Sequence, residues 1–138
     1  MSPMNFVVAP DRESAELGEA VLTIDVEGRD YLVRAGRALG IESIECLERL
    51  DPWEDVEFGA TDLEALHVAL PSLRESLTNA WASGEAHSEL TPPALVGFLD
   101  VGDGLPFGRE GVMRLLLELE LLVERARTSG ERLIAIGD

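Results

Sequence analysis

The 138-residue chain reads as α+β: a single small, helix-dominated domain, residues 1–138, with a few short strands. Three observations carry that reading. "AVLTIDVEG", residues 20–28, sets Leu22, Ile24 and Val26 against Thr23, Asp25 and Glu27, the two-residue period of a half-buried strand. Leu63, Leu66, Leu70, Leu73, Leu77 and Ala80 recur at the alternating three- and four-residue spacing of a core-facing helix. A long helix near 109–128 carries Val112, Leu115, Leu116, Leu119, Leu122, Val123 and Ala126 on one broad arc.

Taken in order, "NFVV" predicts a strand at about 6–8, followed by a polar turn through "APDRESAELGE". The second strand, about 20–27, ends at Gly28. "RDYLVRAGRALGI" predicts a helix capped by Asp30, with Tyr31, Ala35 and Leu39 on one stripe and Gly40 as its stop; a hairpin return through "YLV" is the alternative. Over 42–50, Ile44, Leu47 and Leu50 oppose Glu42, Glu45 and Glu48, an amphipathic helix that Asp51 and Pro52 terminate. "DVEF", 55–58, predicts a third short strand.

Thr61 and Glu64 match a capping box for the next helix. Its seam keeps phase across Pro71, which favours one kinked helix over two. "ASGEAHSEL", 82–90, reads as a surface loop, "TPPALVGFLD" as a short helix and "VGDGLPFG" as a turn. Gly130 closes the long helix, and a last strand covers 132–136.

Charge and chemistry narrow the function. Twenty-seven acids against 11 basic residues, all arginine, give a net charge of −16. A chain without a basic footprint is expected to bind neither nucleic acid nor an anionic membrane surface; a basic protein partner fits better. "MSPMNFVVAPDRESAELG" has neither a basic leader nor a long apolar run, so a cytoplasmic location is expected.

Cys46, the single cysteine, rules out an internal disulfide and sits beside Glu45 and Glu48, which discourage a thiolate nucleophile. His67 and His87 lack a second ligand at metal-binding spacing. "DVGDG" fails as a calcium loop because the decisive positions are Gly102, Gly104 and Gly111. A chain without lysine cannot form a Walker cradle. No catalytic residue, metal or cofactor is assigned, and the chain is expected not to be an enzyme; a site assembled from distant residues is the alternative.

The most charged segment is 42–64, with nine acids and one arginine, half of the net charge. Either it is a solvated face, or an acidic epitope in which Glu45, Glu48, Glu54, Asp55 and Glu57 meet a basic partner and Trp53 anchors it. In size, acidity and lack of enzymatic motifs the chain resembles toxin-neutralising immunity proteins, which implies an inhibitor that occludes its partner. Met113, Leu117 and Leu121 form a second apolar row on the long helix. It is either covered within the fold or a homodimer stripe, the basis of a rival reading as a structural or accessory protein.

Overall fold

In the computed structural model, which describes residues 4–16, 22–51, 53–84, 90 and 108–137, each strand turns alternate side chains toward the helices. β1 (Met4–Ala9) buries Met4 and Phe6 on one face and Val7 and Ala9 on the other. It pairs antiparallel with β2 (Leu22–Ile24) and with β4 (Arg132–Ile136), which in turn pairs antiparallel with β3 (Val56–Phe58). The sheet order is β2-β1-β4-β3, so the first and last strands lie at its centre.

Helices cover one face. α2 (Val26–Ala38), a 3-10 helix (Glu42–Arg49), α3 (Ala60–Ala82) and α4 (Gly108–Ser129) share one core with Phe6, Ile24, Phe58 and Leu133. On the opposite face the short α1 (Arg12–Glu16) lays Ala15 against Val7, Ala9 and Ile134. α1 takes the place of the polar turn expected there; Asp11 starts it by accepting the Ser14 N–H at 2.8 Å. That bond, made to the ionised carboxylate, holds the Asp11 carboxyl below its ordinary range.

The second strand is shorter than its alternation suggests, and Asp30 is not the helix cap. Within the described residues β2 ends at Ile24, and the buried Asp25 accepts the Gly28 N–H at 2.8 Å, so α2 begins at Val26. Val26 continues the apolar alternation by one residue, but the cap takes over the backbone there. Gly28 lies buried in the first turn instead of ending a strand, and the exposed Asp30 pairs with Arg29 at 2.9 Å. The helical reading of 30–39 holds. Tyr31 and Ala35 are buried, Leu39 is the C-cap, and Gly40 follows with φ of 75°.

The triplet segment is helical where expected, but of a tighter kind. A 3-10 helix has three residues per turn, so side chains at i and i+3 eclipse. Ile44, Leu47 and Leu50 are all buried, while Glu42, Glu45 and Glu48 line the exposed side. The unbroken period of three is the pattern of this helix, since an α-helix would need alternating threes and fours.

α3 runs unbroken through Pro71, with Leu63, Leu66, Leu70, Leu73 and Leu77 buried. Its start differs from the expected capping box. Gly59 is the N-cap, no side chain caps it, and Thr61 is an exposed residue of the first turn. Glu64 reaches across to Arg127 at 2.9 Å. Beyond Ala82, Ser83 and Gly84 turn the chain, and Leu90, expected in a surface loop, is buried; its carbonyl accepts both the Tyr31 hydroxyl at 2.9 Å and the Trp81 Nε1–H at 3.0 Å. Burial of that hydroxyl raises the Tyr31 pKa to about 12. The expected helix "TPPALVGFLD" and turn "VGDGLPFG" lie outside the described residues, apart from Gly108 at the start of α4. All seven residues of the expected α4 core arc are buried, and Gly130 closes the helix with φ of 71°.

Two predictions test these junctions by urea unfolding. Asp25→Ala is expected to cost about 1–2 kcal/mol as a lost cap, whereas Asp30→Ala changes stability by less than about 0.5 kcal/mol. A Cβ at Gly36 would overlap the Ile44 Cγ2 methyl. Gly36→Ala should therefore destabilise by about 1–2 kcal/mol, overriding its gain in helix propensity. Combined with Ile44→Ala, it should cost less than the two single changes added together.

Candidate partner-binding surface

The acids of 42–64 do not form one free row. Glu45 and Glu48 project from the 3-10 helix onto a single guanidinium, that of Arg37 on α2, with Arg37 Nε 3.4 Å from Glu45. Asp62, in the first turn of α3, holds Arg49 at 2.6 Å, and Arg49 also stacks over the Phe58 ring at 5.1 Å. Glu57 on β3 pairs with Arg132 on β4 at 2.9 Å, and Asp55 accepts the Gly137 N–H at 3.2 Å. The six residues singled out for partner binding thus fall into three groups: Glu45 and Glu48 around Arg37, Trp53 with Glu54, and Asp55 with Glu57 beside β4.

The middle group is the most exposed. Asp51 and Glu54 form an isolated antiparallel bridge, the Glu54 N–H donates to the Asp51 carbonyl, and the Asp51 carboxylate accepts the Trp53 N–H at 2.8 Å. These bonds close a tight turn and hold Trp53 at its tip with 70% of its surface in water. Trp53 therefore does not fold back onto the core. Trp81, which the sequence reading passed over, does so: it is half-buried against the core, and Arg109 stacks on its ring at 5.4 Å. Its position four residues after Leu77 on the α3 seam was the available signal.

Two recesses were also not anticipated. One, of about 810 Å³, runs along α2 and is lined by Arg29, Asp30, Arg34, Arg37 and Glu48. Arg29, Arg34 and Arg37 recur five and three residues apart, a basic run within an acidic chain. The other, about 510 Å³ and largely apolar, lies between the end of α3 and the start of α4, with Trp81, Met113 and Leu117 in its wall. Of the proposed dimer stripe, Met113 is half-buried, while Leu117 and Leu121 are 47% and 65% exposed.

Groups with catalytic potential are engaged in other ways. Cys46 is half-buried with its thiol 3.7 Å from the Ser43 carbonyl, and burial together with Asp62 pushes its pKa up to about 11. His67 is exposed, 3.5 Å from Glu124; His87 lies outside the described residues. Among the described residues, no three or more His, Cys, Asp or Glu side chains are grouped to hold a metal ion, and no helix is long and apolar enough to cross a membrane.

The geometry defines an α+β domain with an exposed aromatic turn set in acidic surroundings. Comparison with protein-family models, with curated proteins and with solved structures finds no match to this chain.

The Cys46 environment sets a measurable reactivity. With its pKa raised, the folded thiol should alkylate at pH 8 roughly a hundredfold more slowly than an unperturbed cysteine, and urea should abolish the difference. The sign for stability follows: below the unfolded value near 9 both states hold the proton, and Cys46 imposes no cost. As pH rises from there toward 11 the unfolded chain ionises first, so urea midpoints should fall across that window, and less so in Cys46→Ala.

Proposed function

We propose that this chain is a small, acidic, non-enzymatic binding protein of the inhibitor or immunity type, acting in the cytoplasm by occluding a basic surface of a partner protein. The observation that carries the proposal is Trp53: a large apolar ring, 70% exposed, held on a hydrogen-bonded turn between two carboxylates. A turn whose backbone is already fixed by hydrogen bonds loses less freedom on docking, and tryptophan, with few rotatable bonds, is a common interface anchor.

The acids around it divide by role. Glu54, beside the ring, meets a cation of the partner directly. Asp55 and Glu57 extend the acidic field along β3, with Glu57 held in place by Arg132. Glu45 and Glu48 share Arg37 and act mainly by steering at longer range. The total charge of −16 favours rapid encounter with a cationic partner at low salt.

The test is affinity capture from the native host with the wild type and Trp53→Ala. A basic partner should be retained by the wild type and bound at least about 30-fold more weakly by the variant. Its association rate should fall steeply as salt rises. The urea midpoint of Trp53→Ala should match that of the wild type, because the ring is largely in water. Capture of only neutral or acidic partners, without salt dependence, would refute the proposal.

A further inference from the structure

Apart from Arg109, which stacks on the Trp81 ring, four charged residues on α4 make no ion pair among the described residues, although most other arginines of the chain do. Arg37, Arg49, Arg74, Arg127 and Arg132 each hold a carboxylate of another element. Glu110, Arg114, Glu118 and Arg125 hold none. At about 100° per residue all four lie to one side of Leu117, Glu110 at about 20° within the arc of the row Met113, Leu117, Leu121 and Arg114, Glu118 and Arg125 at about 60° to 100° on its flank. α3 occupies the other flank, where Arg74 clamps Glu120 at 2.8 Å and Thr78 meets Met113.

The geometry points to a second copy of this chain as the occupant of that face, docked antiparallel, α4 against α4, about a two-fold axis at Leu117. Three features of the surface become complementary in this one arrangement. Met113 and Leu121 each lie four residues from Leu117, so Leu121 of one copy faces Met113 of the other. The exposed Leu121 side chain then enters the apolar recess of about 510 Å³ that Trp81, Met113 and Leu117 line. Along the open flank, Arg114 faces Glu118 of the second copy and Glu110 faces Arg125, level along the axis to within about 3 Å at a rise of 1.5 Å per residue. Symmetry doubles each pair, giving four ion pairs around an apolar centre, the self-complementary pattern an isologous interface needs.

A parallel pairing lacks this match, since a two-fold axis along the helices would set the charged flank of one copy against the α3-side flank of the other. Two bodies of charge −16 repel, and the contact is confined to one helix face and one recess. The dimer should therefore be weak, with a dissociation constant on the order of 10 µM. It uses none of the Trp53 surface, so it stands independently of the binding role proposed above.

Sedimentation equilibrium from roughly 1 µM to 1 mM tests it on the whole chain. The wild type should show a monomer–dimer equilibrium. Leu117→Glu, which places two carboxylates face to face on the two-fold axis, should remain monomeric throughout, with an unchanged far-UV spectrum because the site is exposed. Arg114→Glu and Glu118→Arg should each weaken the dimer about tenfold, and the double exchange should restore it to within about threefold of the wild type. A wild type that stays monomeric up to about 1 mM, or a dimer indifferent to Leu117→Glu, would overturn the inference. So would a double exchange no tighter than either single variant, since it would refute the antiparallel register.

Discussion

The pairing of β1 with β4 is the constraint on which the remaining structure depends. Five consecutive partners, Asn5 with Ile136 through Ala9 with Arg132, join residues more than 120 positions apart and form the middle of the sheet. β2 and β3 attach only to these strands, and both hydrophobic clusters draw on them. The register is strongly specified because both faces are apolar and different. A slip of one residue in β4 would move Leu133 and Ala135 away from the helices and bring Ile134 in their place. Bringing such distant partners together closes a loop of more than 120 residues, an entropic cost that slows folding relative to a fold built on local contacts.

Around that centre, arginine side chains tie element to element. Arg37 joins α2 to the 3-10 helix, Arg49 joins the 3-10 helix to α3, Arg74 and Arg127 join α3 to α4, and Arg132 joins β4 to β3. The paired carboxylates raise the pKa of Arg74 and Arg127 further above its ordinary value. Most of these pairs are exposed and screened by water, so each adds little to stability. Their effect lies in placement: a planar guanidinium takes two acceptors at fixed angles, as Arg74 does with both oxygens of Glu120. Asp51 and Glu54 take no part in these ion pairs, so the exposed tryptophan on their turn stands in negative surroundings.

How much of this was legible in the sequence depends on the kind of signal. Simple periods were: the α4 arc, the α3 seam across Pro71, and the strands near 6–8, 55–58 and 132–136 all lie where their alternation or spacing put them. Junctions were not, because one residue can satisfy two patterns. Val26 extends a strand alternation and also starts a helix, and only the backbone bond to Asp25 decides between them. Thr61 and Glu64 have capping spacing, yet Glu64 finds Arg127, a partner 63 residues away. For the candidate surface, charge density could be read directly. Which acids are neutralised could not, since Arg37 and Arg132 come from other elements. Composition likewise cannot distinguish a tryptophan on a turn from one on a helix seam, and the chain contains both.

The 3-10 helix has a geometric consequence for the carboxylates it displays. At about 2.0 Å per residue its eight residues cover roughly 16 Å, where an α-helix of equal length covers roughly 12 Å. Conversion to α-helix would draw the end of α2 and the start of β3 together by about 4 Å and strain the sheet edge. It would also rotate each successive glutamate by about 60°, so that Glu42 and Glu48 would point about 120° apart. The reach of Glu45 and Glu48 to one guanidinium is therefore a property of helix pitch, and a ligand able to wind this segment more loosely would break up the acidic row without removing a single charge.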